Sequence, residues 1–220
     1  MSYCEFSTPT EYVDHLHTMT LSSDYITTPT TIDECCAQYA ITGGMDNFYF
    51  NNHDYSRAVW SLMCDAGAGV APSIGDIDTI RFYFKNGAGW FDPATAEDYG
   101  SAFFAKTGGV DDVIARLNGD IYSRQAVIRL QGDSCLTNVQ VRFVNSHLIT
   151  VANFRSLDLM RGLPTDAWIL QRLTSHIANA LRHPITSKVL IIQAVSAHIY
   201  SKDINTIHQA YEELQTIEQF

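Results

Sequence analysis

The sequence predicts one α+β domain in which helices pack mainly against one side of a sheet. Between residues 126 and 200, four runs rich in β-branched and other apolar residues are typical of strands, and amphipathic helical segments lie between and around them. The chain has 220 residues and is 46% hydrophobic, which suits a single compact core. We therefore expect residues 1–220 to form one domain.

The second half of the chain has the clearest elements. They are predicted, in order, as a helix at Val110–Asn118, strands at Ala126–Leu130, Val139–Val144 and Leu148–Phe154, a helix from Pro164 to about Leu181, a strand at Val189–Tyr200 and a helix from Lys202 to Gln219. Pro164 suits the first helical turn, because its missing N–H would have no partner there. The apolar run Val189–Ile192 indicates a strand buried on both faces.

The first half is less regular. Tyr12–Met19 and Tyr55–Met63 have helical character, whereas the remainder is rich in Thr, Asp, Asn and Gly and has weak periodicity. Turns are predicted at Gly43-Gly44, Gly67-Ala68-Gly69 and Lys85-Asn86-Gly87.

Charge and cysteine content exclude several classes of protein. A net charge of -10 argues against general affinity for nucleic acid, because phosphate contacts need a basic surface. We find no apolar run long enough to span a bilayer, and Met1-Ser2-Tyr3-Cys4-Glu5 does not resemble a signal peptide, so we expect neither feature. The five cysteines (Cys4, Cys35, Cys36, Cys64 and Cys135) are odd in number and form no CxxC pair. This usage indicates reduced thiols and a cytoplasmic location.

The residues that point most directly to a reaction lie between Cys135 and Asp166. This span contains a thiol, the neighbouring guanidinium and hydroxyl of Arg155-Ser156, and the acids Asp158 and Asp166. A thiolate adds readily to an electron-poor ring and leaves readily, while a guanidinium suits phosphate. Such a set would act on a pyrimidine ring carrying a phosphate. The alternative is that Cys135 is a small buried hydrophobe and that Arg155 pairs with Asp158.

The order of these motifs resembles that of the thymidylate synthase superfamily. The matching motifs are Tyr99-Gly100, Ser123-Arg124, Cys135 at the start of a strand, Arg155-Ser156-x-Asp158, Gly162-x-Pro164 and His198-x-Tyr200. They keep their order and approximate spacing over about residues 99–201. The resemblance implies a mixed sheet of the thymidylate synthase type, with sheets pairing back to back in a homodimer.

The resemblance also implies a reaction and a cofactor. Cys135 would add to carbon 6 of a pyrimidine nucleoside monophosphate, and Tyr99 would relay the proton of carbon 5. The one-carbon unit would come from 5,10-methylenetetrahydrofolate. Arg155 would lower the pKa of Cys135 and hold the phosphate together with Ser156.

The remaining family positions are assigned to the substrate. Arg124 would reach across the two-fold axis to the phosphate bound by the other subunit, although it would also suit a cap on the preceding turn. His198 and Tyr200 share a strand face and match contacts to the sugar hydroxyl, although a core pair would look the same. Asp158 and Gly162 complete the substrate-binding set.

Asp166 is the position that bears on the choice of base. In thymidylate synthases an asparagine stands there and reads the uracil edge, whereas enzymes that hydroxymethylate dCMP or CMP carry aspartate. An ionised aspartate offers only acceptors, which suits the exocyclic amine of cytosine. Thr165-Asp166-Ala167-Trp168 is similar to the phage deoxycytidylate hydroxymethylases. A helix-terminal aspartate that complements the helix dipole is the alternative.

Several family positions are changed. The catalytic glutamate expected three residues before Trp60 is Arg57, with Asp54 and Asp65 as possible substitutes. The other changes are Gln125 for the second arginine, Phe154 for a glutamine, Arg81 near the folate-side tryptophan, and no recognisable phosphate loop in Asp24–Asp33.

These changes leave alternatives open. One is a dUMP methylase or hydroxymethylase of the same fold. Another is a non-catalytic member that binds a nucleotide or a protein. The weakest is a metal site made from Cys35, Cys36 and the His15-x-His17 pair.

Overall fold

The computed structural model describes residues 3–23, 25–41, 50 and 52–217. The helices in these ranges are α1 (Pro9–Leu21), α2 (His53–Ala68), α3 (Ile74–Lys85), α4 (Pro93–Phe103), α5 (Val110–Gly119), α6 (Gly162–Ala180) and α7 (Ile204–Ile217). The strands are β1 (Tyr3–Phe6), β2 (Ile26–Thr27), β3 (Thr31–Ile41), β4 (Val127–Arg129), β5 (Leu136–Val144), β6 (His147–Asp158) and β7 (Ser187–Tyr200).

The described strands form one mixed sheet. Its order is β1-β3-β7-β6-β5-β4, with β2 paired to β3. The pairs β3–β7, β5–β6 and β4–β5 are antiparallel, whereas β1–β3 and β6–β7 are parallel. A parallel pair needs a crossover, and α6 provides it between β6 and β7. The predicted α+β class is confirmed.

The helices cover one face of the central strands. Along β6 every second residue from Leu148 to Phe154 is buried, and α6 buries Leu173 and Ile177 against this side. Val189 and Ile191 on β7 are only partly buried, while Leu190 and Ile192 between them are covered. The prediction that this run is buried on both faces is therefore wrong for the isolated chain, because no described helix packs on the second face.

The elements predicted for the second half of the chain are all present, with ends shifted by a few residues. Pro164 lies in the first turn of α6, and β5 begins three residues earlier than predicted, at Leu136, directly after Cys135. In the first half, both predicted helices are present as α1 and α2. The strands β1, β2 and β3 and the helices α3 and α4 were not predicted.

The predicted turns have mixed outcomes. Gly43-Gly44 lies outside the described residues. Lys85 ends α3 and Gly87 adopts φ 68°, as expected for a turn. The third prediction is wrong in part, because Gly67 and Ala68 belong to α2 and only Gly69, at φ 66°, leaves it. Gly67 is required by packing, since a Cβ there would lie 2.2 Å from Cβ of Phe104.

Candidate active site

A cavity of about 110 Å³ lies where the carboxyl ends of β6 and β7 meet the start of α6. It contains all the predicted site residues except Tyr99 and Arg124. The residues that line it are Trp90, Cys135, Arg155, Ser156, Leu157, Asp158, Gly162, Asp166, His198 and Tyr200.

The strand register explains why these residues meet. Parallel pairing places Asp158 beside His198 at the end of the sheet. The backbone N–H of Arg155 donates to the carbonyl of Cys135 at 2.8 Å, which holds the cysteine beside β6. The helix α6 then begins four residues after Asp158 and returns Asp166 over the same point. Strand pairing, one backbone hydrogen bond and the start of α6 thus bring residues that are distant in sequence to the same cavity.

Cys135 is a half-buried thiol at the wall of this cavity. Burial raises its pKa, the positive charge of Arg155 lowers it, and Asp166 raises it, with a net upward shift. The expected effect of Arg155 therefore has the predicted direction but is outweighed by burial. At neutral pH the resting side chain is mainly the neutral thiol.

Arg155 is exposed and bonded to the turn before Cys135. Its Nη2 donates to the carbonyl of Asp133 at 2.7 Å and its Nε to the carbonyl of Ser134 at 3.3 Å. The alternative in which Arg155 pairs with Asp158 is wrong. The carboxylate of Asp158 instead accepts from the backbone N–H groups that follow it, those of Met160 at 2.9 Å and Arg161 at 3.0 Å. A guanidinium has five N–H donors, so Arg155 keeps donors for an anion.

Asp166 is buried, with 4% of its surface exposed. In the described part of the chain its carboxyl makes no hydrogen bond, although it faces the cavity. Burial first, and then the nearby Asp158, raises its pKa well above the usual value, which favours the neutral acid. A neutral carboxyl offers one O–H donor and one acceptor instead of acceptors alone.

Tyr99 and Arg124 do not line the cavity. Tyr99 is buried behind β5, where its hydroxyl accepts from the backbone N–H of Leu136 at 3.2 Å. Burial, followed by Asp166, raises the pKa of Tyr99, so the phenol keeps its proton beside Cys135. Arg124 is exposed just before β4, and its carbonyl accepts from Gln140 at 2.9 Å.

His198 and Tyr200 share one strand face, as predicted. Their rings are 5.1 Å apart in an edge-to-face arrangement, and both line the cavity. Burial and the charge of Asp158 raise the pKa of Tyr200. The hydroxyl of Tyr200 is therefore a donor at neutral pH.

Trp90 is a cavity residue that the sequence analysis missed. It lies between α3 and α4, directly before Phe91 and the capping residue Asp92, which accepts from the N–H of Thr95 at 2.7 Å. Arg81, the expected replacement for a tryptophan, is exposed on α3 and lies 3.8 Å from Asp78. The useful signal was an aromatic residue just before the cap of the helix that carries Tyr99.

No described carboxylate of α2 reaches the cavity. Arg57 and Asp54 are exposed and line a separate groove between α2 and α3, and Asp65 is not among the cavity residues. Trp60 packs edge-to-face with Phe104 at 6.0 Å. The proposed substitutes for the family glutamate therefore do not occupy its place.

The metal alternative has no support in the described ranges. His15 lies 3.4 Å from Glu34, whereas His17 stacks on Tyr211 at 3.9 Å, so the two imidazoles have different partners. Cys35 and Cys36 are exposed on β3. No group of three His, Cys, Asp or Glu side chains among the described residues is placed to hold a metal ion. None of the described helices has the length and apolar character of a membrane-spanning segment.

Of the comparisons with known proteins, the one with solved structures gives a match, and the comparisons of sequence do not. No protein-family model matches the sequence, and no curated protein matches it. Among solved structures, the thermostable thymidylate synthase A from Bacillus subtilis matches with a TM-score of 0.67 and 14% identity, over 94% of this chain and 84% of that chain. At this level of identity the likeness concerns architecture, and the chain has a thymidylate synthase-like fold.

Proposed function

We propose that the chain is a pyrimidine-nucleotide C5 one-carbon transferase that 5-hydroxymethylates a cytidine monophosphate, dCMP or CMP. The observation that carries the proposal is the buried carboxyl of Asp166, which has no hydrogen bond among the described residues and shares a cavity with Cys135. The carboxyl therefore keeps its hydrogen-bonding capacity for a ligand in the cavity.

The neutral form of Asp166 matches the edge of cytosine. Its O–H can donate to ring nitrogen 3, and its carbonyl oxygen can accept from the exocyclic amine. The ionised form still accepts from the amine but repels the carbonyl oxygen of uracil. Cytosine is therefore suited to both protonation states of Asp166.

A dUMP methylase or hydroxymethylase is the second candidate. The raised pKa of Asp166 favours it, because a neutral acid can also accept from N3–H of uracil and donate to oxygen 4. The two candidates differ in their pH dependence. The preference for cytosine increases as Asp166 ionises.

Cys135 and Tyr99 supply the covalent and proton-transfer chemistry. After Cys135 loses its proton, its sulfur bonds to carbon 6 and the electron pair of the 5,6 double bond moves to carbon 5. Carbon 5 thereby becomes nucleophilic. The hydroxyl of Tyr99, held behind β5 by the N–H of Leu136, would relay the proton exchanged at carbon 5 by releasing its own proton as it takes another.

The sugar and phosphate extend out of the enclosed space. A volume of about 110 Å³ is well below the roughly 300–1,000 Å³ of typical ligand pockets, so it suits the base alone. His198 and Tyr200 would bind the sugar, and Arg155 with Ser156 would bind the phosphate. In the described part of the chain, Arg155 is the cavity's one arginine. This supports a homodimer in which Arg124 of a second copy completes the phosphate site.

The residues present fit the cofactor that the fold implies, 5,10-methylenetetrahydrofolate. Trp90 offers an aromatic face at the cavity, and Asp158 offers a carboxylate for ring N–H groups. When bound, this group would supply a one-carbon unit to carbon 5, and addition of water to that unit would give the hydroxymethyl group.

The absence of an α2 carboxylate in the cavity also supports a third candidate, a non-catalytic nucleotide-binding member of the fold. Thermal-shift measurements with dCMP, CMP, dUMP and UMP test binding, because a ligand selective for the native state raises its apparent stability. Release of tritium from carbon 5 of labelled dCMP or CMP tests the addition step without the folate. Binding without tritium release would identify the non-catalytic member.

Covalent trapping gives the sharpest test of the enzyme. Incubation with 5-fluoro-dCMP and 5,10-methylenetetrahydrofolate should add one nucleotide and one folate to the wild-type chain, detected by intact mass, because fluorine at carbon 5 cannot leave as a proton does. Cys135→Ser should abolish the adduct, and the control Cys64→Ser, on α2, should retain it. An adduct that survives in Cys135→Ser would refute the proposed nucleophile.

A further inference from the structure

A second cysteine lies in a row of polar side chains remote from the cavity. Cys4 on β1 places Sγ 3.6 Å from Nδ1 of His15 on α1. The other imidazole nitrogen, Nε2, lies 3.4 Å from Oε2 of Glu34 on β3. The hydroxyl of Tyr39 donates to the same oxygen of Glu34 at 2.6 Å. Three elements thus contribute a thiol, an imidazole and a carboxylate in line.

This row is arranged for proton transfer and not for a metal ion. His15 lies between its neighbours and presents a different ring nitrogen to each, so Cys4 and Glu34 are on opposite sides of the ring. Ligands of one ion would have to converge on a single point. Nucleophile, base and orienting acid in sequence are the arrangement that activates cysteine in enzymes.

The contacts determine which protonation states are available. An ionised Glu34 is an acceptor only, so its contact with Nε2 of His15 is attractive when that nitrogen carries hydrogen, although the geometry of the contact is that of an ion pair and not of a hydrogen bond. Nδ1 then either accepts from the thiol or, as part of an imidazolium, donates to a thiolate. The imidazolium is favoured over the neutral ring because its positive charge lies beside the carboxylate of Glu34, which has only 7% of its side chain exposed.

The charge on His15 agrees with this assignment. Burial lowers the pKa of His15, but its contacts with Cys4 and Glu34 raise it to about 9. His15 is therefore positive at neutral pH. A positive imidazole beside a cysteine favours the thiolate, which is the reactive form.

We propose that Cys4 is a reactive thiolate paired with His15 and oriented by Glu34, and that it is a modification site for small disulfides such as glutathione disulfide. The sulfur of Cys4 bonds to one sulfur of the disulfide, and the disulfide bond breaks. The departing thiolate takes the proton held by His15. The products are a mixed disulfide on Cys4 and one free thiol, so atoms and electrons balance.

The other cysteines provide internal references. Cys35 and Cys36 are exposed, but no described histidine is hydrogen-bonded to either, whereas Cys4 is only partly exposed. An ordinary cysteine with a pKa of about 8.5 is less than about 1% thiolate at pH 6. If exposure alone set the reaction rates, Cys35 and Cys36 would react before Cys4. If Cys4 is paired with His15 as proposed, Cys4 reacts first.

The experiment labels the native chain with iodoacetamide at pH 6 and blocks remaining thiols with isotopically heavy reagent after denaturation. Mass spectrometry of the peptides then gives a rate for each cysteine. Cys4 should react at least about 10-fold faster than the Cys35–Cys36 pair, since its thiolate fraction is higher. A slower reaction at Cys4 would overturn the proposal. Glutathione disulfide should likewise modify Cys4 before the exposed pair.

His15→Gln tests the role of the imidazole, and His17→Gln, on the same helix, is the matched control. The first change should reduce the Cys4 rate at pH 6 to that of the exposed pair or lower, and the control should leave it unchanged. Unaltered rates at Cys64 and Cys135 verify the fold. If His15→Gln does not fold, the wild-type pH profile decides. A Cys4 rate that levels off below pH 7 supports the pair, and one that rises to pH 8.5 contradicts it.

Discussion

Arg161, which is partly buried, and Asp203, which is buried, form an ion pair that joins the start of α6 to the turn after β7. Arg161 also donates its backbone N–H to Asp158 at 3.0 Å, and Asp203 follows the cavity residue Tyr200 by three positions. The pair therefore connects two walls of the candidate active site. One oxygen of Asp203, Oδ2, is buried without a hydrogen bond, so Arg161 is the main compensation for this charge in the described structure.

Removing Arg161 should be strongly destabilising. Arg161→Met leaves the carboxylate of Asp203 buried and unpaired, which costs about 3–5 kcal/mol in comparable sites. The control is Arg81→Met, whose ion pair with Asp78 is exposed and whose loss should change stability by less than about 0.5 kcal/mol. Urea unfolding measures both free energies. The double variant Arg161→Met with Asp203→Asn should recover much of the loss, and no recovery would contradict the pairing.

Asp166→Asn should stabilise the ligand-free chain increasingly as pH rises. The folded state raises the pKa of Asp166, so between about pH 4, where the unfolded carboxyl titrates, and the folded pKa the native chain holds a proton that the unfolded chain lacks. Wild-type stability falls with pH across this window, by up to about 1.4 kcal/mol per pH unit. An asparagine has no such proton.

Urea unfolding at pH 5 and pH 7 checks this expectation for Asp166. The stability difference between Asp166→Asn and wild type should be larger at pH 7. The exposed Asp98→Asn on α4 is the control and should show almost no pH-dependent difference. A difference for Asp166→Asn that does not vary with pH would mean that the carboxyl is ionised in the native state.

The elements found from sequence are those whose burial follows a simple period. The buried positions of α5 (Val110, Val113 and Leu117) and the alternation along β6 are both visible as patterns. The buried residues of α4 (Ala96, Tyr99, Gly100 and Phe103) also have helical spacing, but two of the four are small, which weakens the apolar stripe. In β3 the adjacent cysteines lie at a strand irregularity, with Cys36 at φ 55°, and the buried residue before them is the charged Glu34.

The candidate site was predictable where motif order and strand pairing coincide. Asp158 and His198 are distant in sequence, but the motifs placed both at strand ends, and parallel pairing brings them together. Trp90 and Arg57 were assigned less well, because their positions depend on a connecting segment and on the rotation of a helix. Neither property is visible in spacing alone. The position of Arg57 toward solvent is set by the side of α2 that packs on α4.

The pKa values of His15 and His17 should be shifted in opposite directions from that of an ordinary histidine, although the two residues are only two positions apart. The pKa of His15 is raised to about 9 by Cys4 and Glu34 against the effect of burial. That of His17 is lowered, first by burial and then by the charge of His208. Two-dimensional NMR of the imidazole carbon-bound protons should show both midpoints. A midpoint for His15 below about 6.5, its ordinary value, would contradict the assigned contacts.

The same shift predicts a pH-dependent stability. Since the folded pKa of His15 lies above the unfolded value of about 6.5, its stabilisation is fully present below pH 6.5 and is lost as pH rises toward 9. The destabilisation by His15→Gln should therefore be larger at pH 6 than at pH 9. Urea midpoints at the two values measure it, with His17→Gln as the control.

Gly100→Ala should separate α2 from α4 and disturb the contact between Tyr99 and the strand beside Cys135. A Cβ at position 100 would lie 2.3 Å from the backbone carbonyl oxygen of Met63, which cannot move without the whole of α2. Overpacking of this kind costs about 1–3 kcal/mol or more. The matched control is Gly119→Ala at the end of α5, where a Cβ meets nothing within 4 Å and alanine is the better helix former. Thermal unfolding should show a clear loss of stability for Gly100→Ala and little change or a small gain for Gly119→Ala.

Because Tyr99 precedes Gly100 and accepts from the backbone N–H of Leu136 beside Cys135, Gly100→Ala should also slow adduct formation with 5-fluoro-dCMP. Equal unfolding temperatures of the two variants would show that α2 moves to accommodate the added methyl group at little cost in stability.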